Sequence, residues 1–508
     1  MKRPSLIAAV FCAAIGLLYF SLSPGSIAGM GYMAEEMSAT DALLRNATSP
    51  LTGKPALRVE WPRNGVVDLA FHVPFVVAAK LFFPGDFQWK DRFVSAEPVL
   101  LTALLLTIVF VWTAALSRGW SRALLLSLVL AFCTLMWPYA YIGLEVLQSA
   151  ALMTAAYLAL QSRQARGWRH SILFALAAAV ALSAKSTGAF LLPAVLFLIW
   201  CEFEAPLRPA ASRREARARL AITLAIIGAV FLTNSYFRAF HWQIYGGSRE
   251  FISFWLIEDP ASLLINVTGF FGSPNKGLAV FAPVCLLALV TLPRAFASHR
   301  RLAWFALLTL VGLTGGFSLL RNWSDETWGP RYLHAAIAPL VLCYAAAAGD
   351  RITRGRWAAS LAVAASLGFV ISSLGALFYY GSLHGVIGKA GQSTLEALQG
   401  DPIWNHYRFN ARLLGIWVSR LGDPPSPYLW TPSHQWFFVK PDGAAPWIPV
   451  DLAPYAHPHA SLFRDWDHRP LRRVYLGSGI AGAALIIGTI WLARREDARA
   501  ASARRETG

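Results

Sequence analysis

Long apolar runs separated by short Arg-bearing connections make up most of this chain. A helix needs about 20 apolar residues to cross the hydrocarbon core, and fewer where protein shields its ends. By that measure the pattern predicts about twelve spans, near 5–22, 97–116, 123–138, 144–160, 171–184, 188–201, 220–237, 277–292, 302–319, 335–348, 357–378 and 474–492. Basic residues then orient them. Lys2/Arg3, Arg118/Arg122, Arg163/Arg166/Arg169, the cluster Arg208 to Arg219, Arg294/Arg300/Arg301, Arg351/Arg354/Arg356 and Arg494/Arg495 all fall on one side, the cytoplasmic one by the positive-inside rule.

Residues 66–83 are apolar enough to raise a thirteenth span, but counting it would place nearly every later basic loop outside. The segment is therefore expected to be an interfacial or re-entrant helix, with Asp68, His72, Pro74 and Lys80 partly wet. Segments 171–184 and 188–201 are short and meet at Ala184 to Gly188, which predicts a tight hairpin turned outward. The outer face then carries the first loop 23–96, Trp137 to Gly143, Lys185 to Thr187, the 238–276 loop, Arg321 to His334 and an insertion, 379–473. The insertion is rich in proline and aromatic residues and is expected to form a compact, turn-rich cap. Three parts follow: a transmembrane module 1–378, the insertion, and 474–508 as a last span with a basic tail.

Composition agrees. With 56% hydrophobic and 14% charged residues and a mean hydropathy of +0.47, the chain is too apolar for a soluble globule. The net charge of +17 does not point to nucleic acid, because the basic residues recur in separate loops as topogenic charges do. The five cysteines sit in or beside apolar spans at spacings that suit neither zinc nor a disulfide framework. Met1-Lys2-Arg3 before Leu6 to Leu22 has the form of a signal peptide, but the long apolar stretch favours a retained first span.

Candidate chemistry gathers on the outer face. Glu35 and Glu36 stand just outside the first span, followed by Thr40 to Leu44, a short expected surface helix whose dipole favours acids at its start. A carboxylate there can act as general base towards a hydroxyl, or hold a divalent cation. Neighbours on a helix diverge by about 100°, so only one of the two faces inward. Ser273 to Gly277 and Trp323 to His334 each place a cation, Lys276 or Arg331, at a helix start, where the dipole alone prefers an anion. A bound phosphate answers that mismatch; lipid headgroups are the plainer alternative. Lys185 lies between two apolar half-helices, where an ionisable group tends to be functional. Glu145, after Trp137-Pro138-Tyr139, is either a partner for one of these cations or an interfacial acid. The insertion's histidines, His434, His457, His459 and His468, lack convincing metal-ligand spacing.

With these stretches in order, residues 1–350 resemble the GT-C superfamily of membrane glycosyltransferases, in particular phospholipid-carrier-dependent enzymes related to protein mannosyltransferases and the lipid A aminoarabinose transferase. The resemblance rests on Glu35-Glu36 with Ala42-Leu43-Leu44, Trp137-Pro138-Tyr139 with Glu145, Ala184-Lys185-Ser186-Thr187 before Leu191-Leu192-Pro193, and Ser273 to Gly277 with Trp328 to Leu333. It implies an all-α bundle in a bacterial inner membrane, moving a sugar from a polyprenyl-phosphate carrier to a glycan, lipid or protein of the cell envelope on the periplasmic side. Family members commonly carry Asp-Glu where this chain has Glu35-Glu36; position favours Glu35 as the catalytic acid. Lys185, Lys276 and Arg331 would hold the donor phosphate, and Asp41, Arg58, His72, Glu145, Asn275, Trp328 and Tyr332 are the expected substrate contacts. A divalent cation, Mg2+ or Mn2+, beside Glu35 or Glu36 is left open. The competing readings are a transporter or flippase of lipid-linked sugars, with ionisable groups near the bilayer midplane and repeated halves, and a non-catalytic member of the fold.

Overall fold

A computed structural model describes residues 3–22, 31–53, 55–62, 64–83, 93–143, 145–161, 167–204, 210–244, 256–257, 259–274, 276–320, 327–378, 406–419 and 469–506. Helices account for most of them, and no strand occurs among the described residues apart from one isolated bridge, Leu256 to Leu320. In chain order come α1 (Arg3–Leu22), α2 (Gly31–Thr52), α3 (Val66–Phe82), α4 (Ala96–Ser117), α5 (Trp120–Phe132), α6 (Met136–Ile142) and α7 (Val146–Ala156), which runs into a wide turn to Gln161. Then follow α8 (Trp168–Ser183), a 3-10 turn Ser186–Leu191, α9 (Leu192–Phe203), α10 (Ala210–Ile244), α11 (Pro260–Gly272), α12 (Leu278–Phe281), α13 (Pro283–Ser298) and α14 (Arg300–Ser318). Last are α15 (His334–Ala348), α16 (Gly355–Leu377), α17 (His406–Ser419) and α18 (Arg469–Glu506).

Among the described residues, eight helical stretches are long and apolar enough to cross a membrane: Pro4–Leu22, Ala96–Ser117, Ser186–Phe203, Arg214–Ala239, Arg300–Ser318, Arg331–Thr353, Gly355–Leu377 and Arg473–Ala503. α5 and α6, bent by 59° at their junction, make either a broken span or a re-entrant loop, and four shorter apolar helices accompany them. The protein is therefore a multi-pass, all-α membrane protein.

The bundle closes on α15, which is apolar around its whole circumference, as befits a helix buried on all sides. α4, α7, α13 and α14 pack around it. α1 and α18 pair along the bundle, where Gly479 and Gly482 let α18 approach Ser21 and Leu18 closely.

Two expectations change. The surface helix of the first loop runs for 22 residues as α2, well beyond Thr40 to Leu44, and Asn46 ties it to the segment that follows by exchanging two hydrogen bonds with Leu57 at 2.8 and 2.7 Å. Residues 66–83 do form one helix, but its polar residues are not uniformly wet: His72 is fully buried and meets the buried Glu97 at 2.6 Å. A buried imidazole needs a partner, and the carboxylate at the head of α4 supplies it. The insertion 379–473 is described only at α17 and the first turn of α18, so the expected cap otherwise lies outside the described residues.

Candidate functional site

The site begins at the bend between α5 and α6. α6 ends at Gly143 with a left-handed φ of 79°, and two residues later Glu145 has φ 64°, ψ −6°. A non-glycine residue there carries a steric cost of roughly 1–2 kcal/mol. The conformation starts α7, whose first turn is fastened by Ser149: its backbone N–H and its hydroxyl both donate to the Glu145 carbonyl, at 3.0 and 2.7 Å. The same hydroxyl oxygen lies 2.8 Å from His334 Nδ1, a contact that joins α7 to the start of α15.

The side chain of Glu145, 6% exposed as a residue, reaches two cations. Oε2 lies 2.5 Å from Lys185 Nζ, and Oε1 lies 3.7 Å from Arg331 Nε. Lys185 arrives in extended backbone between α8 and the 3-10 turn, in the predicted hairpin. The turn depends on Gly188, because a Cβ there would collide with the carbonyl oxygen of Leu182. Arg331 heads the short helical turn that leads into α15; its guanidinium donates to Tyr332 Oη at 3.0 Å and covers that ring 4.7 Å from the centroid. Tyr332 in turn stacks on Phe317 at 4.0 Å.

Lys276 is buried, 1% exposed, and donates to the Thr327 carbonyl. Its neighbour Trp328 is fully buried, edge-on to Phe281, and its carbonyl accepts from Tyr139 Oη at 2.8 Å. Gly329 turns the chain with φ 59° against Phe281 and Leu135. The Lys276 and Arg331 segments are thus joined by one tightly packed loop.

A second polar group braces the Lys185 side. Asn234 and Arg238, one turn apart on α10, both donate to the carbonyls of Asn64 and Ser183, while Asn234 Oδ1 accepts from Val67 N at 2.9 Å. This clamp ties the start of α3 and the end of α8, two residues before Lys185, to α10.

The structure therefore brings together Glu145, Lys185 and Arg331, with Lys276, Trp328 and Tyr332 in the adjoining loop. Glu35 and Glu36 belong to α2, but their side chains lie outside the described residues, as does Asn275. Asp41 pairs with Lys80 at a half-exposed contact between α2 and α3, Arg58 is exposed, and His72 is occupied by Glu97. Sequence reasoning passed over Asn234, Arg238, Ser149 and His334. The signal was present for the first two: polar residues four apart share one face of an apolar helix.

Two cations sharing one carboxylate at helix starts make a fork suited to an oxyanion with two free oxygens, such as a phosphate. Among the described residues no three His, Cys, Asp or Glu side chains gather where they can hold a metal ion. No family model matches the chain, and no curated protein matches it.

Proposed function

We propose that this protein is an integral-membrane glycosyltransferase of the GT-C kind, with about twelve spans, acting at the periplasmic face of a bacterial inner membrane. The observation that carries the proposal is the convergence of Lys185 and Arg331 on Glu145, with Lys276 anchored in the neighbouring loop. The buried carboxylates Glu97, Glu145 and Glu202 all stand at helix ends, which favours chemistry at an interface over transport through the midplane.

The donor is a sugar on a polyprenyl phosphate. A first-loop acid, Glu35 or Glu36, takes the proton from an acceptor hydroxyl of a cell-envelope glycan, lipid or protein. The hydroxyl oxygen attacks the anomeric carbon from the face opposite the phosphate; the new glycosidic bond forms as the bond from that carbon to the phosphate oxygen breaks, and the configuration inverts. The electron pair leaves on the phosphate, where Lys185, Lys276 and Arg331 offset the growing charge. Any divalent cation would be held by the first-loop acids, and it would supply electrostatic stabilisation of the phosphate.

The test separates the two halves of the site. Purified Glu35→Gln, Glu36→Gln protein is expected to lose sugar transfer while still binding a polyprenyl phosphate; transfer at the wild-type rate would remove the general base. Lys185→Ala, Lys276→Ala and Arg331→Ala are each expected to weaken that binding, and retention of full affinity by all three would remove the phosphate site.

A further inference from the structure

Glu145 is the charged member of the cluster to which the chemistry above gives no task. It is an anion in a place suited to an anion: its two oxygens lie against Lys185 Nζ and Arg331 Nε, the groups assigned to the donor phosphate. The two oxygens of a carboxylate span nearly the same gap as two oxygens of a phosphodiester, so both anions fit the same fork. The backbone beneath it is unusual as well. Glu145 and Arg118 are the non-glycine residues with positive φ among those described, and Arg118 is an exposed residue ending α4, whereas Glu145 is buried. Its carbonyl is held twice by Ser149, itself bonded to His334 three residues after Arg331. The Glu145 carbonyl is thus tied into α7, whereas its carboxylate is held by charge against Lys185 and Arg331.

We propose that Glu145 is a positioning residue that stands in for the donor phosphate: its carboxylate holds Lys185 and Arg331 at phosphate spacing in the donor-free state and swings out when the phosphodiester arrives. The inference rests on the assignment of Lys185 and Arg331 to the donor. An internal anion of this kind keeps the partly buried Lys185 and the buried Arg331 paired between turnovers, where an unpaired charge would be costly. It also competes with the ligand, which weakens binding and speeds departure of the spent carrier. A brace with a purely structural role does the opposite, since its loss loosens the fork and weakens binding.

The experiment measures affinity and dissociation rate of a short isoprenyl methyl phosphodiester, singly charged throughout the neutral range, for the full-length protein in detergent. Glu145→Gln is nearly isosteric and removes only the charge. It is expected to bind about tenfold more tightly or better, because a like charge beside the ligand is removed, and to release the probe correspondingly more slowly. Glu145→Asp keeps the charge but withdraws it from the cations, and its affinity is expected between those of wild type and Glu145→Gln. Equal or weaker binding by Glu145→Gln, with binding still lost in Lys185→Ala and Arg331→Ala, overturns the stand-in and leaves the phosphate site in place. Wild-type affinity in both of those alanine variants overturns the phosphate site and the stand-in with it. Should Glu145→Gln fail to fold, Glu145→Asp decides: tighter binding than wild type supports the proposal, and equal or weaker binding overturns it.

Discussion

Asn234→Leu tests whether the brace behind Lys185 is structural in the way its geometry demands. Asn234 is fully buried, and leucine has the same branched outline with methyl groups in place of the amide oxygen and nitrogen, so the change removes every polar atom of the side chain. Three bonds are lost: Val67 N–H to Oδ1 at 2.9 Å, and Nδ2 to the carbonyls of Asn64 at 3.0 Å and Ser183 at 2.6 Å. Their consequences differ. The two carbonyls keep Arg238 as donor, so each loses about 0.5–1.5 kcal/mol of net bonding. Val67 N–H belongs to the first turn of α3, where no intrahelical acceptor exists, and leaving it buried costs about 1–3 kcal/mol. The total is about 2–6 kcal/mol, concentrated where α3 and the end of α8 meet α10. Asn234→Asp keeps the acceptor for Val67 but sets an oxygen where Nδ2 donates to the Asn64 and Ser183 carbonyls, so it should spare the start of α3 while still loosening the end of α8. Gly65 belongs to the same lock, since a Cβ there would run into the Asn234 amide. Hydrogen exchange of peptides covering 64–72 and 180–188, together with the thermal midpoint in detergent, reads the effect. Wild-type protection and midpoint in Asn234→Leu would refute this account.

Two further outcomes follow from the same contacts. Lys185→Met leaves Glu145 with the more distant Arg331 and should destabilise the protein by about 3–5 kcal/mol, most of it restored in Lys185→Met, Glu145→Gln; thermal unfolding of both single variants and the double variant checks this, and additive losses would show that the pair is not coupled. Gly188→Ala forces the Lys185 turn away from the Leu182 carbonyl, so it should lower both the thermal midpoint and affinity for a polyprenyl phosphate, and unaltered binding would show that the turn does not position Lys185.

The membrane class and the main apolar helices were legible because hydrophobic length is a one-dimensional signal. The hairpin around Lys185 was legible too, since two short apolar runs with a cation between them leave few alternatives. His72 misled for a definite reason: polarity within an interfacial pattern reads as wetness, whereas its burial follows from Glu97, 25 residues away in sequence. Glu145 was recognised as a potential partner for the cations, but its left-handed backbone leaves no mark in composition or periodicity. The clamp needed three distant segments, 64–67, 183 and 234–238, and only its i, i+4 spacing on α10 is written locally.

The two ends of the bundle also differ in how they treat buried charge. At the end opposite Glu145, Glu202 takes His170 Nε2 at 3.3 Å and Arg219 Nη2 at 3.4 Å, while Arg219 Nε donates to Ser171 Oγ at 2.9 Å. Asp497 of α18 accepts from the Trp120 and Ser121 amides at 2.8 and 3.0 Å, an anion at a helix start as the dipole prefers. Each group in these sets sits in ordinary helical or capping geometry and joins helices that would otherwise rest on apolar contact alone. The Glu145 end has cations at helix starts, a left-handed acid between them and a glycine-dependent turn holding one of them in place. Adhesion between helices needs none of those features, as the opposite end demonstrates with the same residue types. The difference is what the proposed exchange of Glu145 for a donor phosphate would require: cations held at helix starts, and an anion between them held by charge.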